Sequence, residues 1–342
     1  MQAHSVLWPE ANRAEYIEID IEEPGPGELL LEAEVTLISI GTERNFFVGR
    51  NDLAVWGAAF PFRPGYAFAG RVLRAGSADS DFRPGDRVIA GGHKGTPSGG
   101  HASHILSPEH AVIRVPDGVD LQDAIVASLG AVPLGALQRA QPDLGDAIAV
   151  MGLGGIGLLG VIAARLSGGA PVIALDTNPV RREVALRVGA DLAFDPADPA
   201  ALEALHALPR GGADIVLECT ALAKPLDLAL AIAGHRGRVV QVSSVQERSD
   251  LDLHDSLHLK GLTLIGGFTG AGVRVDKTPG NWPHDALDGA LLELLRLGRF
   301  DARPLISHRI PAPEAATAYR LIADGSPDLV GIVLDWTGVN QH

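Results

Sequence analysis

Short segments made almost entirely of apolar residues recur between residues 147 and 267, and stretches with helical periodicity separate them. The apolar segments are predicted as strands at 147–151, 171–175, 191–194, 214–218, 238–242 and 262–265. The intervening stretches are predicted as helices at 158–166, 179–188, 199–207 and 225–233. The strands lack polar alternation, which is typical of strands buried on both faces of a sheet. This pattern predicts an α/β domain with a doubly wound parallel sheet.

The residues on either side of this region have a different pattern. Before it, proline and glycine turns separate predicted strands at 28–39, 68–73, 87–90, 102–106 and 111–115. After it, the pattern predicts helices at 285–297 and 315–323 and strands at 305–310 and 331–336. We assign this C-terminal part to the N-terminal β-rich domain. The predicted domains are therefore 1–133 with 268–342, and 134–267.

A glycine-spaced turn follows the first strand of the predicted parallel sheet. Gly152, Gly154 and Gly157 fit the spacing G-x-G-x-x-G, which serves a tight turn, close approach to a pyrophosphate and close helix–strand packing. The helix behind it offers unpaired N–H groups and a partial positive charge to phosphates. Asp176 ends the next strand about 20 residues further on, where a carboxylate binds a ribose diol and repels a 2′-phosphate. The loop predicts dinucleotide binding, with NAD favoured over NADP; a glycine-rich turn without a ligand is the alternative.

Composition and charge narrow the class of partner. The 342 residues are 46% hydrophobic and carry a formal net charge of −14, which argues against nucleic acid or an anionic membrane and leaves a small-molecule substrate. The single cysteine, Cys219, excludes an internal disulfide and a cysteine-rich zinc site. No basic leader with an apolar core opens the sequence, so we expect a cytoplasmic protein.

Seven short motifs occur in order along the chain, and together they resemble the medium-chain dehydrogenase/reductase family. They lie at 41–43, 64–67, 85–88, 99–103, 152–157, 188–190 and 266–268. The resemblance covers nearly the whole chain. It implies a GroES-like β-rich catalytic domain that is interrupted by a Rossmann domain and completed by the C-terminal segment. It also implies a homodimer or homotetramer.

The positions that match the family's catalytic zinc ligands depart from the family pattern. They are Ile40, Tyr66 and Val132, with Ala67 where the family has a glutamate near the metal. None of the three ligand positions offers a thiolate, imidazole or carboxylate. The alternative is a metal site formed by three histidines at other positions, His93, His101 and His104. We therefore expect no metal and a zinc-free member, similar to bacteriochlorophyllide hydroxyethyl dehydrogenases and to sugar or polyol dehydrogenases.

Four residues are candidates for the chemistry of hydride transfer without zinc, which needs a group that stabilises the alkoxide and a base. Thr42 matches a relay hydroxyl of the family, or it caps a turn. Glu43 could be a base, but a supporting role is favoured. Tyr66 could exchange a proton with a carbonyl oxygen, or it fills the space of the metal. His101 is the best imidazole candidate, or it caps a strand.

The coenzyme contacts are predicted mostly at strand ends on one edge of the parallel sheet, where ligands bind such folds. The residues are Gly152, Leu153, Gly154, Gly155, Ile156, Gly157, Asp176, Arg181, Thr220, Val242, Ser243, Gly267 and Phe268.

Three functions fit the sequence. The first is an NAD-dependent, zinc-independent dehydrogenase of a secondary alcohol, such as a sugar, cyclitol or other polyol. The second is a redox-neutral enzyme that retains NAD tightly and uses it transiently. The third is a nucleotide-binding protein without catalytic activity.

Overall fold

The computed structural model describes residues 1–96, 98–245, 247–248, 250–268 and 282–339. The chain divides into two units. The first consists of Met1–Ser128, Asp288–Gly298 and Leu305–His342, and the second of Leu129–Leu287 and Arg299–Pro304. The predicted domain boundaries lie at 133/134 and 267/268, whereas the two main divisions between these units lie at Ser128/Leu129 and Leu287/Asp288. The two main boundaries lie inside helices, where turn signals in the sequence cannot mark them.

The first unit is built on a seven-stranded sheet whose longest strand is β3. Its path runs β14-β15-β3-β4-β5-β7, and β6 also pairs with β3. The strand β15 pairs antiparallel with β3, so the C-terminal segment completes this sheet. A separate antiparallel pair, β1 and β2, was not predicted. The ranges are β1 (Gln2–Leu7), β2 (Glu15–Asp20), β3 (Glu28–Ile38), β4 (Phe68–Ala75), β5 (Arg87–Ala90), β6 (His104–Pro108), β7 (Val112–Arg114), β14 (His308–Pro311) and β15 (Ile332–Asp335).

Two helices of this unit position its polar centre. The helix α1 (Ile40–Phe47) follows β3 directly, and the sequence pattern did not predict it. The helix α9 (Ala315–Asp324) buries one face, which consists of Ala315, Ala318, Tyr319 and Ile322. This i, i+3, i+4, i+7 spacing is that of an amphipathic helix packed on a core. The Tyr319 ring packs edge-on against Trp8, with 5.2 Å between ring centroids, and this contact fixes the position of its hydroxyl.

The second unit contains a six-stranded parallel sheet in the order β10-β9-β8-β11-β12-β13. Counted along the chain, this order is 3-2-1-4-5-6, the Rossmann arrangement. The predicted mixed α/β class with a GroES-like domain and a Rossmann sheet is therefore confirmed. Every predicted strand is present, and β8 and β9 are buried throughout. The ranges are β8 (Ile148–Met151), β9 (Val172–Leu175), β10 (Leu192–Phe194), β11 (Ala213–Glu218), β12 (Ala233–Gln241) and β13 (Thr263–Gly266).

The helices of the second half lie close to their predicted positions. The helix after the glycine turn begins at Gly155, three residues before the predicted start. Asn178 caps α5, and Asp198 caps α6; in both helices a proline follows as the first residue, where its missing N–H has no cost. The ranges are α2 (Leu121–Ala124), α3 (Ala127–Ala140), α4 (Gly155–Leu166), α5 (Pro179–Val188), α6 (Pro199–His206), α7 (Pro225–Ile232) and α8 (His284–Arg296).

The segment Leu121–Ala140 is the one helical stretch among the described residues that is long and apolar enough to cross a membrane. Its mean hydropathy is 1.2, and 67% of the residues that give this value are buried inside the protein. Core helices meet the same criteria of length and composition, so this stretch is weak evidence for a membrane span.

Candidate functional site

The glycine turn lies at the carboxyl end of β8, and two of its glycines are required by packing. Gly152 has a φ of +83°, and a Cβ there would lie 2.9 Å from the backbone nitrogen of Thr220. A Cβ on Gly157 would lie 1.8 Å from the carbonyl oxygen of Gly152. By contrast, a Cβ on Gly154 or Gly155 would meet no atom within 4 Å. The space beside Gly154 and Gly155 is therefore available to a ligand, and the residues fit a bound pyrophosphate.

The N-terminus of α4 suits an anion. Gly154 is the N-cap, no side chain of the described residues caps the helix, and its first turn contains no acidic residue. No acidic residue of the helix's own first turn therefore neutralises the partial positive charge of this helix end. Leu153 is buried, whereas Gly155 and Ile156 are partly exposed, so the turn presents its backbone to solvent.

Asp176 lies beside the glycine turn, as the sequence predicts. Its Oδ2 accepts a hydrogen bond from the backbone N–H of Leu153 at 2.6 Å, and its Oδ1 accepts one from Asn178 at 2.8 Å. These bonds orient the carboxylate at the edge of the turn. Arg181 lies half-buried in the first turn of α5. The guanidinium of the neighbouring Arg182 donates to the carbonyl oxygen of Asp176 at 2.7 Å.

A cavity of about 410 Å³ lies at the carboxyl ends of β12 and β13. It contains four of the predicted coenzyme residues, Val242, Ser243, Gly267 and Phe268, among its lining residues. Thr220 is not among them; it packs against Gly152 instead. The sequence did not single out Gln241 or Glu247, which also line the cavity, because neither residue belongs to a spaced motif.

The four catalytic candidates lie close together in the first unit, but their exposure differs. Tyr66 and Thr42 are half-buried, whereas Glu43 and His101 have exposed fractions of 1% and 0%. Tyr66 and Thr42 therefore retain some exposed surface. Glu43 and His101 can act only through other groups.

Tyr66 is held by two hydroxyl groups. The side chains of Ser39 and Thr42 hydrogen-bond to its phenol. Burial, followed by the charge of Glu43, raises the pKa of Tyr66 to about 12, although the two hydrogen bonds act in the opposite direction. The phenol is therefore protonated at neutral pH and serves as a hydrogen-bond donor rather than as a base.

Glu43 accepts hydrogen bonds from three parts of the chain. Its Oε1 accepts the backbone N–H of Ser39 at 2.9 Å, which resembles a capping box at the start of α1. Its Oε2 accepts the hydroxyl of Tyr319 at 2.6 Å and lies 3.1 Å from Nε2 of His101. Burial and the charge of Glu43 raise the pKa of Tyr319 well above its usual range, so Tyr319 remains a donor. Three donors compensate the burial of this carboxylate.

The hydrogen bonds of this network fit the tautomer of His101 that carries its proton on Nε2. The indole N–H of Trp336 can only donate, and it donates to Oγ1 of Thr36 at 3.0 Å. Oγ1 of Thr36 lies 2.8 Å from Nδ1 of His101, so the threonine hydroxyl can donate to that nitrogen. Nε2 of His101 then carries the proton and donates to Glu43. The network runs without a break from Trp336 to Glu43.

Backbone contacts fix the relative positions of Tyr66 and His101. The N–H of Gly100 donates to the carbonyl oxygen of Gly65 at 2.8 Å, and that of His101 donates to Pro64 at 3.1 Å. Gly65 has a φ of +100°, and a Cβ there would lie 2.4 Å from the backbone nitrogen of His101. The glycine allows this approach because it has no side chain.

The described residues contain no group of three or more His, Cys, Asp or Glu side chains that could hold a metal ion. The three histidines considered above have separate partners. Nδ1 of His93 accepts the N–H of Leu106 at 3.3 Å, and Nδ1 of His104 lies 3.0 Å from Oγ of Ser103. At the family's zinc position, Ile40 offers no donor atom and the Tyr66 phenol keeps its proton. These residues do not fit a zinc ion.

We expect the substitution His101→Ala to lower the free energy of unfolding by about 3 kcal/mol, because it leaves a cavity in this buried network and removes one hydrogen-bond partner each from Glu43 and Thr36. Urea unfolding of the variant and the wild type measures the difference. The matched control is His110→Ala, which removes an exposed imidazole of the same unit and should change the free energy by less than about 0.5 kcal/mol. A His101→Ala variant as stable as the control would contradict the role of this network.

The two units together define a class of protein. A 3-2-1-4-5-6 parallel sheet, a glycine turn at its switch point and an acidic residue after the second strand form a dinucleotide-binding unit. The other unit is a β-rich domain with a hydroxyl cluster over a buried carboxylate. The class is that of two-domain nicotinamide dehydrogenases.

Comparisons with known proteins identify the family within this class. The family model "Alcohol dehydrogenase GroES-like domain" matches residues 25–117, and the model "Zinc-binding dehydrogenase" matches residues 155–287. The chain belongs to the medium-chain dehydrogenase/reductase family. As a member, it is an oxidoreductase that acts on alcohols with a nicotinamide coenzyme.

Relatives of known name span nearly the whole chain. The 2-desacetyl-2-hydroxyethyl bacteriochlorophyllide A dehydrogenase of Cereibacter sphaeroides is 28% identical, with 93% of each chain covered. The sorbitol dehydrogenase of Halalkalibacterium halodurans is 24% identical, with 89% of this chain and 91% of the relative covered. The crystal structure of 2R,3R-butanediol dehydrogenase from Bacillus subtilis superposes with a TM-score of 0.83 at 20% identity, over 97% of this chain and 99% of the other.

Proposed function

We propose that this protein is an NAD-dependent, zinc-independent dehydrogenase of a secondary alcohol, such as a sugar, cyclitol or other polyol. The observation that carries the proposal is the Tyr66 cluster. At the family's zinc position, the structure has a protonated phenol that is hydrogen-bonded to Ser39 and Thr42 over the buried Glu43. The names of two relatives support the substrate class, because sorbitol is a polyol and a hydroxyethyl group carries a hydroxyl.

The glycine turn, the N-terminus of α4 and Asp176 would hold the coenzyme, and the predicted contacts at the ends of β11, β12 and β13 would complete its site. NAD, when bound there, would supply the hydride acceptor for oxidation of the carbon that carries the substrate hydroxyl. In this proposal, the Tyr66 hydroxyl donates a hydrogen bond to the substrate oxygen and stabilises its negative charge. Thr42 and Ser39 orient the phenol, and the proton of the substrate hydroxyl leaves through the partly exposed Thr42 hydroxyl to solvent water. Glu43 and His101 hold this cluster in place.

Activity with NAD and a panel of secondary alcohols, after treatment with a chelator and with the metal content measured, tests the proposal. We expect NADH formation that is independent of zinc. Activity that is lost with the metal and restored by zinc would overturn the zinc-free assignment. A protein that retains NAD through gel filtration without net turnover would be a redox-neutral enzyme instead. We further propose that it works in the cytoplasm as a homodimer or homotetramer, and light scattering during gel filtration tests the assembly.

We expect Asp176→Asn to weaken the preference for NAD over NADP at least about tenfold. In the wild type the carboxylate repels the 2′-phosphate of NADP, and juxtaposed like charges cost several kcal/mol. The asparagine keeps an acceptor for one of the two N–H groups that Asp176 binds. The ratio of kcat/KM for the two coenzymes measures the preference. The control is Asp195→Asn, which removes the carboxylate that follows β10 and pairs with Arg182. An equal change of the coenzyme preference in both variants would contradict the assignment.

A further inference from the structure

Glu218 is a fully buried carboxylate at the carboxyl end of β11. Its Oε1 accepts the backbone N–H of Thr220 at 2.7 Å and also the hydroxyl of Thr220. Its Oε2 accepts Nε2 of Gln241 at 2.5 Å and the hydroxyl of Ser243 at 2.8 Å. In the described part of the chain, these four neutral donors are its hydrogen-bond partners. A charge buried without a cation is costly, and this arrangement compensates it with donors from three residues.

The donors that Glu218 gathers belong to the candidate coenzyme site. Gln241 and Ser243 line the cavity of about 410 Å³. Thr220 packs against the first glycine of the turn, since a Cβ on Gly152 would lie 2.9 Å from its Cγ2. One carboxylate therefore fixes the polar side chains of the cavity wall and the residue that supports the glycine turn.

The same bonds orient the amide of Gln241. Because its Nε2 donates to Glu218 and lies 3.0 Å from Oγ of Ser243, its Oε1 lies on the other side of the amide. This oxygen is buried and has no hydrogen-bond partner among the described residues. A buried acceptor without a partner is uncommon, and because Gln241 lines the cavity, a ligand N–H that reaches this oxygen would satisfy it. The carboxamide of nicotinamide is such a group.

We propose that Glu218 is a positioning residue that orders the cavity wall, through Gln241 and Ser243, for the nicotinamide end of the coenzyme. The inference rests on the proposed function, since it takes the cavity as the nicotinamide side of an NAD site. It assigns Glu218 no contact with the coenzyme.

The substitution Glu218→Gln tests this role with little change of volume. A glutamine has one acceptor oxygen, and we expect it to stay on the backbone N–H of Thr220, because that group can only donate. The new NH₂ group then faces Gln241 and Ser243, which can also accept. We expect the affinity for NADH to fall about tenfold or more, as for the loss of hydrogen bonds to a charged group. The affinity for ADP-ribose, which lacks the nicotinamide, should stay within about twofold of the wild-type value. Calorimetric titration of both ligands measures the two affinities.

Two further variants keep the test interpretable. Asp214 lies at the other end of β11 and accepts a hydrogen bond from the backbone N–H of Ala147 at 2.9 Å. The substitution Asp214→Asn should leave the affinities for NADH and ADP-ribose unchanged. Gln241→Met removes the amide from the cavity and should weaken the binding of NADH but not that of ADP-ribose. This variant tests the inference even if the Glu218 variant fails to fold.

The outcomes separate this inference from the proposed function. Normal NADH binding by Glu218→Gln and Gln241→Met would overturn the inference alone. Equal losses for NADH and ADP-ribose would also overturn it, because they would show a general structural role. Wild-type protein that binds neither ligand would overturn the proposed function and the inference with it.

Discussion

The variant Gly157→Ala is expected to lose about 2 kcal/mol of folding free energy and to bind NAD at least about 100-fold more weakly. Alanine in a helix gains about 1 kcal/mol over glycine from propensity alone. That gain is smaller than the cost of a Cβ placed 1.8 Å from the carbonyl oxygen of Gly152, because both atoms belong to rigid backbone. The turn must shift, and a shift of about 1 Å at a binding loop is enough for a 100-fold effect.

Two neighbouring glycines provide matched controls for this prediction. Gly155→Ala meets no protein atom within 4 Å and should fold as the wild type does. Gly154→Ala should also fold normally, for the same reason, but it should weaken NAD binding because the open space beside it is where we place the pyrophosphate. Urea unfolding and calorimetric titration of all three variants measure the two effects. If Gly157→Ala is as stable as Gly155→Ala, the packing argument is wrong.

The parts of the fold that sequence predicts best are those with local signals. Each strand of the parallel sheet is a short apolar run, and α5 occupies the predicted residues because Asn178, Pro179 and Gly189 mark its ends. The contact of Asp176 with the glycine turn was also predictable, because strand order and spacing fix it. By contrast, β12 begins at Ala233, five residues before the predicted start, because the apolar run covers only its second half.

The polar centre of the first unit could be predicted only in part. Thr42, Glu43, Tyr66 and His101 lie in short motifs, and the structure brings them together. Their burial was not predictable, because it depends on the distant residues that complete the network. Tyr319 lies 276 positions from Glu43, and Trp336 lies 300 positions from Thr36. No periodicity links such pairs, and a tyrosine on an amphipathic helix is predicted as a core residue whether or not its hydroxyl has a buried partner.

The variant Tyr66→Phe should lower kcat about 100- to 1000-fold, because the lost hydroxyl is the donor that we place at the substrate oxygen. KM and NADH affinity should change little, since the ring is kept. Since the pKa of Tyr66 is raised to about 12, the phenol loses its proton only well above neutral pH. We therefore expect the wild-type rate to show no ionisation of Tyr66 between about pH 6 and pH 10.

Tyr16→Phe is the matched control for this variant, because burial also raises the pKa of Tyr16 to about 12. Its ring stacks on His4 and Trp336, and phenylalanine keeps both contacts. Steady-state kinetics on the alcohol found by the substrate screen should give wild-type rates for this control. If Tyr66→Phe retains the wild-type kcat, the phenol only fills the space. Thr42→Ala then decides the assignment, since Thr42 is the other half-buried hydroxyl of the cluster and would have to supply the donor. If both variants are fully active, the site lies elsewhere, because Glu43 and His101 are too deeply buried to reach a substrate.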